Sequence, residues 1–403
     1  MNLLDRLVMG VSPERGLARV QAKARAAAVM NYDAATKGRR TYGWKAPASS
    51  ADTAATGSRA QLRNLARDMI RNRAFAARAQ MVVTANVVGT GIMPSVVADD
   101  DATRDRVGEV IRAHLMTPAI DAYGEHALPS LQRIVMNAVF EDGEVLVLRR
   151  FRAAPFEAGL PLPFQLQVME ADHLDTSITS YGRNQVIEGV EIGPTGRITA
   201  YHLFDHHPGD AAWWARRSMT SRRVAASEVL HVRRADRSGQ LRGVTWLAPV
   251  MMTLGELSDY QEAQILKQRM ASLLAAVVTT EEGGASWKGA GLEELAPGAV
   301  VGLEPGQDVT FSEPPKLDGY EGFMRQGLAA VAMGIGITLE SLSGDLSGVN
   351  YSSGRMGRME MDRLIETWQQ QVIIAQFCEG VARWLAEAWP LAGARSPVRA
   401  LTA

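Results

Sequence analysis

Three groups of residues have types and spacings that invite chemistry. Ser227, His231 and Asp236 lie close together, and on an extended strand Ser227 and His231 share a face, as a nucleophile and its base would. No Gly-x-Ser-x-Gly elbow surrounds a serine, and without that sharp turn a serine is poorly presented for attack. A serine hydrolase is therefore the alternative from another class rather than the leading reading. His202, His206 and His207 crowd a second stretch with Asp205 and Asp210. On a helix His202 and His206 would face the same way, as zinc ligands do, but no His-Glu-x-x-His pattern occurs. The preceding alternation makes this a strand entering a Pro208-Gly209 loop, so the histidines read as incidental and no metal is expected. Glu170, Asp172 and Asp175 surround His173. Paired carboxylates work as acid and base only where their environments split their pKa values. Directly after a strand, this cluster reads as a solvated turn with an Asx cap.

The remaining motifs are weaker. Gly89-x-Gly91 and Gly334-x-Gly336 lack the third glycine and the preceding strand of a phosphate cradle. Cys378 is the only cysteine, so an intrachain disulfide and a multi-thiolate zinc site are excluded and a reducing compartment fits. It sits in an apolar-rich helix and reads as a small core residue. Asn350-Tyr351-Ser352 fits a glycosylation sequon, which matters only in a secreted chain. No catalytic residue, metal or cofactor is assigned, and the chain does not read as an enzyme.

The whole chain sets the frame for these motifs. Its 403 residues are 46% hydrophobic and 22% charged, with 43 Lys or Arg against 44 Asp or Glu. That is an ordinary globular balance with room for two or three domains. A near-neutral total argues against a tight sequence-blind DNA binder, whose affinity would come from neutralised phosphates. The alternative of a basic-arm DNA-binding module is weakened on the same ground. The first nine residues lack a long apolar run, so no secretory signal is expected. The most apolar stretch, Leu273 to Val278, is far shorter than the roughly 20 residues of a spanning helix. A soluble chain with no membrane partner follows.

Charge is uneven along the chain. Residues 1–80 carry fifteen Lys or Arg against five Asp or Glu, whereas residues 281–321 carry nine Asp or Glu against Lys288 and Lys316. Residues 46–58 are small and polar and read as a flexible linker. Apolar spacing predicts one helix from Arg59 to Val88, with Arg59, Arg63, Arg67 and Arg71 as a basic stripe on another face. Helices follow at 104–115 and 128–140. Two-residue alternation then predicts strands at 144–149, 164–169, 185–192, 197–204 and 229–232, with Gly193 to Gly196 as a hairpin turn. Helical periodicity returns from about Thr245 to Thr279 and from Tyr320 to Met333. Between them lies an acidic, Gly- and Pro-rich excursion with only short strands, such as Ala299 to Leu303. A long helix, about Ser352 to Ala388, places Met356, Met359, Ile365, Trp368, Val372, Val381, Trp384 and Leu385 on one broad stripe. No internal repeat occurs. The fold class is α+β, with two helices bracketing an inserted module as in a stalk with a tip.

Five segments occur in a telling order. They are Tyr32-Asp33-Ala34-Ala35 with Gly38-Arg39-Arg40 and Trp44; Leu62 to Asn72 running on to Asn86-Val87-Val88-Gly89-Thr90-Gly91-Ile92; Pro208-Gly209-Asp210 with Gly239 to Val244 and Trp246-Leu247-Ala248-Pro249; Leu303-Glu304-Pro305-Gly306 before Pro314-Pro315; and Gly344-Asp345-Leu346-Ser347 with Asn350-Tyr351-Ser352-Ser353-Gly354-Arg355. In this order they resemble the lambda-type tailed-phage portal protein family.

The resemblance implies a homo-oligomeric ring, twelve subunits being usual, at one capsid vertex of a virion assembled in the host bacterial cytoplasm. Double-stranded DNA would enter and leave through it without sequence preference. It implies a portal fold: a basic N-terminal arm and linker (1–58), an α+β wing (59–246), a stem helix (247–279), a clip (280–318), a second stem helix (319–337), a tunnel loop (338–354), a long wing helix (355–389) and a tail (390–403). Family members usually continue into a crown, which would here be absent or truncated. A degenerate portal of a prophage or gene-transfer particle is the related alternative.

Ser347, Asn350, Tyr351, Ser352, Ser353 and Arg355 become the DNA-facing loop, although Asn350 and Ser352 also suit a plain helix cap. Glu281, Glu282, Glu293, Glu294, Glu304 and Asp308 become the clip surface that docks the large terminase subunit and later the head–tail connector. Arg59, Arg63, Arg67 and Arg71 are candidates for contact between subunits. Major capsid and scaffold proteins complete the implied partners.

Overall fold

The structure, a computed structural model, describes residues 8, 10–29, 39, 41–44, 47–152, 160–210, 220–273, 277–280, 307–310 and 319–392. The chain divides into two units, residues 1–50 and 51–403. The first contributes helix α1 (Pro13–Val29).

The second unit begins inside the stretch that reads as a linker. Residues Ala51–Ala55 form a short helix, α2, and Asp52 is buried. Its carboxylate accepts the backbone N–H groups of Leu241 at 2.8 Å and Arg242 at 3.1 Å. A carboxylate so placed ties the segment down, which small polar composition does not reveal. The helix expected over 59–88 is two helices, α3 (Arg59–Asn72) and α4 (Ala74–Val87). Arg73 between them is extended (φ −123°, ψ 119°). Ala76, Ala79, Val82, Val83 and Val87 bury one broad face of α4. Asp100 caps α5 (Asp101–Leu115) by accepting the Thr103 N–H at 2.7 Å, the usual task of an N-cap carboxylate. Helix α6 (Leu128–Asp142) carries Pro129 in its first turn and ends on Gly143, whose φ is +89°.

That glycine opens the central strand. β1 (Glu144–Phe151) lies between β2 (Phe164–Glu170) and β8 (Val229–Arg233), antiparallel to both. Alternate side chains of β1 enter different cores, as a two-residue period requires. Val145 and Val147 join the large core beneath the helices. Leu146 and Leu148 join a smaller core with Met169, Leu174, Val190, Tyr201, Leu203, Val224 and Val229. The second sheet covers that core in the order β3 (Ser180–Tyr181), β4 (Asn184–Ile187), β5 (Val190–Ile192), β6 (Ile198–Phe204), β7 (Ser221–Ala225). The single strand expected at 185–192 is folded back on itself, because Glu188 (φ 46°) and Gly189 (φ 85°) make a left-handed turn. Gly143 and Gly243 touch, and a side chain on either would collide with the other's segment.

Helices α7 (Met251–Leu273) and α8 (Tyr320–Ile335) pack side by side. Gly327 and Gly334 of α8 leave room for Leu257 and Val250 of the α7 side. Beyond α7, β9 (Val277–Thr280) pairs antiparallel with β10 (Gln307–Thr310). The β-branched run Val277 to Thr280, taken from its sequence as the end of a helix, is thus a strand, as such residues favour. Helix α9 (Leu339–Ser343) and a short loop lead into the long helix. Its segments are α10 (Tyr351–Trp368), a π-helical stretch (Gln369–Cys378) and α11 (Glu379–Ala388). Met361, Ile365, Trp368, Val372, Val381, Trp384 and Leu385 are buried along it. Met356 and Met359, read as part of the same stripe, are exposed.

Candidate functional site

The loop Gly344–Asn350 is built by hydrogen bonds within its own length. Gly344 ends α9 with φ +76°, a value that suits glycine. The Asp345 N–H then donates to Ser343 Oγ at 3.1 Å, and Asp345 Oδ1 accepts the Ser347 N–H at 2.9 Å. Hydrogen bonding to Ser347 holds the Asp345 carboxyl below its ordinary value. Arg325 on α8 lies 3.8 Å from that carboxylate, so the loop lies beside α8. Asn350 starts α10 with a capping box. Its Oδ1 accepts the Ser353 N–H at 2.8 Å, and its own N–H donates to Ser353 Oγ at 3.2 Å.

This divides the six residues named for the loop. Asn350 and Ser353 spend their polar atoms on the cap. Ser347, Tyr351, Ser352 and Arg355 face outward, Tyr351 with 83% of its surface exposed. What remains outward is one phenol, two hydroxyls and one guanidinium at the start of a helix. Such groups meet phosphate oxygens without reading bases.

The arginine stripe takes a different place from the one its spacing suggests. Arg67 donates to Asp142 Oδ1 at 2.8 Å and lies 2.8 Å from carboxylate oxygens of both Glu170 and Asp172. Arg63 meets Asp172 at 2.8 Å. Arg59 pairs with Glu188 and meets Asp52 at 3.3 Å. These three are spent on carboxylates of the same chain and leave Arg71, which is exposed, as the outward member. The reason is the sheet: β2 and the β4–β5 turn bring carboxylates onto α3 from more than a hundred residues away.

The same fold disposes of the other motifs. His231 Nε2 faces Glu144 Oε2 at 2.9 Å inside the sheet. Ser227 is exposed, its carbonyl accepting Trp384 Nε1–H at 2.9 Å, and Asp236 meets Arg234 at 3.0 Å. His202 is buried against Glu191 at 3.2 Å, and Asp205 meets Arg222 at 2.6 Å. His206 and Asp210 are exposed.

His207 approaches Glu170 at 3.2 Å and Asp172 at 3.7 Å, giving three potential metal-ligating groups on one spot. Arg67 already supplies the cation there. This convergence was invisible in the sequence, because the partners sit on separate elements. Asp175, the third acid of the cluster, accepts from Ser177 in the turn and from Ser221 at the start of β7. Cys378 is half-buried beside Gln132, and burial pushes its thiol up to about 11.

Buried charge concentrates where β1 and β8 meet the segment that leads into α7. Arg242 Nη2 and Glu144 Oε1 are 2.6 Å apart, with His231 on the other carboxylate oxygen. Burial opposes the charge, but Arg242 and His231 together hold the Glu144 carboxyl well below its ordinary value. Glu281, Glu282, Glu293, Glu294 and Glu304 lie outside the described residues. Asp308 lies on β10 opposite Thr279. Among the described residues no helix is long and apolar enough to cross a membrane.

Comparison with known proteins gives a consistent result. A family model described as "Phage portal protein, lambda family" matches residues 37–369. The "Probable portal protein" of Halomonas phage phiHAP-1 is 26% identical over 354 residues, covering 81% of this chain and 65% of that relative. The "Portal protein" of Escherichia phage N15 is 23% identical over 398 residues, covering 87% of this chain and 73% of its own length. This chain thus spans a little under two thirds of the Halomonas protein. A chain from the neck of a native GTA particle computed with C12 symmetry shares the fold. It is 12% identical, with a TM-score of 0.50 over 81% of each chain. A chain from the virion of a native gene transfer agent particle is 13% identical, with the same TM-score over 83% of this chain and 82% of that one.

Proposed function

The chain belongs to the lambda family of phage portal proteins, and from that premise we propose that copies of it close into a ring through which double-stranded DNA passes. The match over residues 37–369 carries the reading, because it runs through the helix pair, the module between them and the loop. We infer twelve subunits, at one vertex of a virion assembled in the bacterial cytoplasm.

The physical demands on such a conduit are specific. Duplex DNA carries one negative charge per about 1.7 Å of its axis, so a strongly basic lining would bind it by releasing counterions and stop it. A chain with 43 basic and 44 acidic residues avoids that trap. The loop with Ser347, Tyr351, Ser352 and Arg355 supplies a few weak contacts that impose no register. The acidic module between α7 and α8, with Glu281, Glu282, Glu293, Glu294, Glu304 and Asp308, is the proposed dock for the large terminase subunit and then the head–tail connector. Repulsion between that module and DNA keeps the duplex centred. Major capsid and scaffold proteins are the partners proposed for the wing and basic arm. The gene-transfer-particle setting is kept as the second reading because chains from such particles share the fold.

Particles assembled with an epitope on this chain provide the test. The reading expects label at one vertex per capsid and loss of nuclease-protected DNA when the chain is removed. Label spread over the shell, or full DNA content without the chain, would overturn it.

A further inference from the structure

The segment that joins α9 to α10 is anchored at both ends and bare in the middle. At its start, Arg78 of α4 donates from Nε to the Ser341 carbonyl at 3.0 Å, and Ser341 Oγ donates to Met361 Sδ of α10 at 3.7 Å. At its end, the Asn350 capping box fixes the first turn of α10. Residues 344–348 between these anchors are all exposed, Leu346 with 68% of its surface in water. Burial of apolar surface therefore does not hold them in place.

Arg325 reaches this bare stretch from α8. Its Nη1 lies 3.8 Å from Asp345 Oδ2. Its guanidinium also lies against Gly348, where a side-chain carbon would come within 3.4 Å of Nη2 and 3.9 Å of Cζ. One planar cation thus meets the loop on both sides of Ser347, at a carboxylate before it and at a residue without a side chain after it. Asp345 is set for this contact. Its Oδ1 accepts the Ser347 N–H at 2.9 Å, which leaves Oδ2 for the guanidinium.

The hold is weak. Arg325 and Asp345 each keep 51% of their side-chain surface exposed, and their separation exceeds that of a hydrogen bond. Exposed pairs of this kind contribute little and are screened by salt. Glu321, four residues earlier on α8, is exposed as well and adds at most another weak pair. When Arg325 leaves, Asp345 keeps its bond to Ser347 and turns its other oxygen to water, so release strands no buried charge. An arginine offered a phosphate makes shorter, charge-assisted and frequently bidentate hydrogen bonds.

We propose that Arg325 is the positioning residue of the loop: paired with Asp345 over Gly348 it holds residues 344–348 beside α8, and a DNA phosphate takes it from Asp345 and frees the loop to move. This rests on the reading of the loop as DNA-facing. It adds a residue from outside the loop, and a condition under which the loop gives: held when the passage is empty, loosened where a duplex lies against it.

The test reads the loop in the full chain at low salt. A nitroxide on Leu346→Cys reports the ratio of mobile to held loop. Cys378, half-buried with its thiol pushed up to about 11, stays unlabelled near neutral pH. Arg325→Ala should raise the ratio about threefold, the scale of an exposed pair. Asp345→Asn, which removes the charge and keeps an acceptor for the Ser347 N–H, should do the same, and the two together should add nothing to either alone. A short duplex of mixed sequence should raise the ratio in the parent more than sodium chloride of equal ionic strength, and should leave Arg325→Ala unchanged. Inorganic phosphate at the same phosphate concentration separates the sources, and release by duplex alone or by both supports the proposal.

Single variants no more mobile than the parent, or effects that simply add, would overturn the hold by Arg325 and leave the DNA-facing reading standing. Release by sodium chloride as full as by duplex would reduce the response to screening and overturn the phosphate step. Release by inorganic phosphate but never by duplex would overturn the DNA-facing reading, and with it the step by DNA, while the hold by Arg325 stands.

Discussion

Glu144 and Arg242 meet at 2.6 Å inside the protein, Glu144 with none of its surface exposed and Arg242 with 2%. The pair joins the first residue of the central strand to the segment that leads into α7. Glu144 Oε2 also accepts the Gly243 N–H at 2.8 Å, and Arg242 Nη1 donates to the Glu188 carbonyl at 2.6 Å. A buried charge without its partner is costly, so Glu144→Gln should lower stability by about 3–5 kcal/mol. Replacing both residues with apolar ones should cost less than either single change. Denaturant titration measures both, and a loss below about 1 kcal/mol for the single variant would contradict the assignment.

Glu191 sets a pH dependence of known sign. Hydrogen bonds from Arg223, against the opposing effect of burial, hold its carboxyl down at about 2, compared with 4.5 for the free group. A depressed acid contributes stability that is present above the unfolded value and lost as pH falls through the folded one. Stability of the parent should therefore decline between about pH 4.5 and pH 2. Glu191→Gln should be less stable at pH 7, with the gap closing over that window. Thermal melts at stepped pH test this, and a constant gap from pH 7 to pH 2 would contradict it.

The loop separates a capping role from the channel role proposed for it. Asn350→Ala removes the side chain that accepts the Ser353 N–H and should cost about 1 kcal/mol of stability. Tyr351→Ala, at an exposed position, should change stability by no more than about 0.5 kcal/mol while altering the rate of DNA packaging. Equal stability losses for the two, or unaltered packaging by Tyr351→Ala, would count against the division.

Gly243→Ala should be among the most damaging small changes, because a methyl group there collides with the Gly143 carbonyl and the Glu144 side chain. Overpacking of this kind costs about 1–3 kcal/mol, and backbone opposite backbone leaves little to give. Chemical denaturation of Gly243→Ala beside Gly239→Ala, where nothing lies within 4 Å but φ is +74°, separates collision from backbone strain.

Local pattern carried much of the fold into view. The alternation in Phe164 to Met169 and Ile198 to Phe204 marks real strands, and the periodic apolar positions of 128–140 mark a real helix, because burial on one face imposes those periods. What stayed hidden depends on distant partners. Nothing near Arg59, Arg63 or Arg67 tells that Asp172, Asp142 and Glu188 await them, so three members of a stripe that looks solvated are paired within the chain. Asp52 looked like linker until the 241–242 backbone found it. Met356 and Met359 fit the apolar period of the last helix, yet among the described residues nothing covers them and both are exposed. The sequence marks Asn350 as a possible helix cap, but that Ser353 completes the cap while Tyr351 and Ser352 stay exposed is decided by hydrogen-bond geometry.

Electron microscopy of the purified chain decides whether copies close into a ring with an open passage. Annular particles of one symmetry, with a central opening that admits a double helix, are expected. A chain that stays single under every assembly condition, or a closed ring too narrow for duplex DNA, would contradict the ring reading.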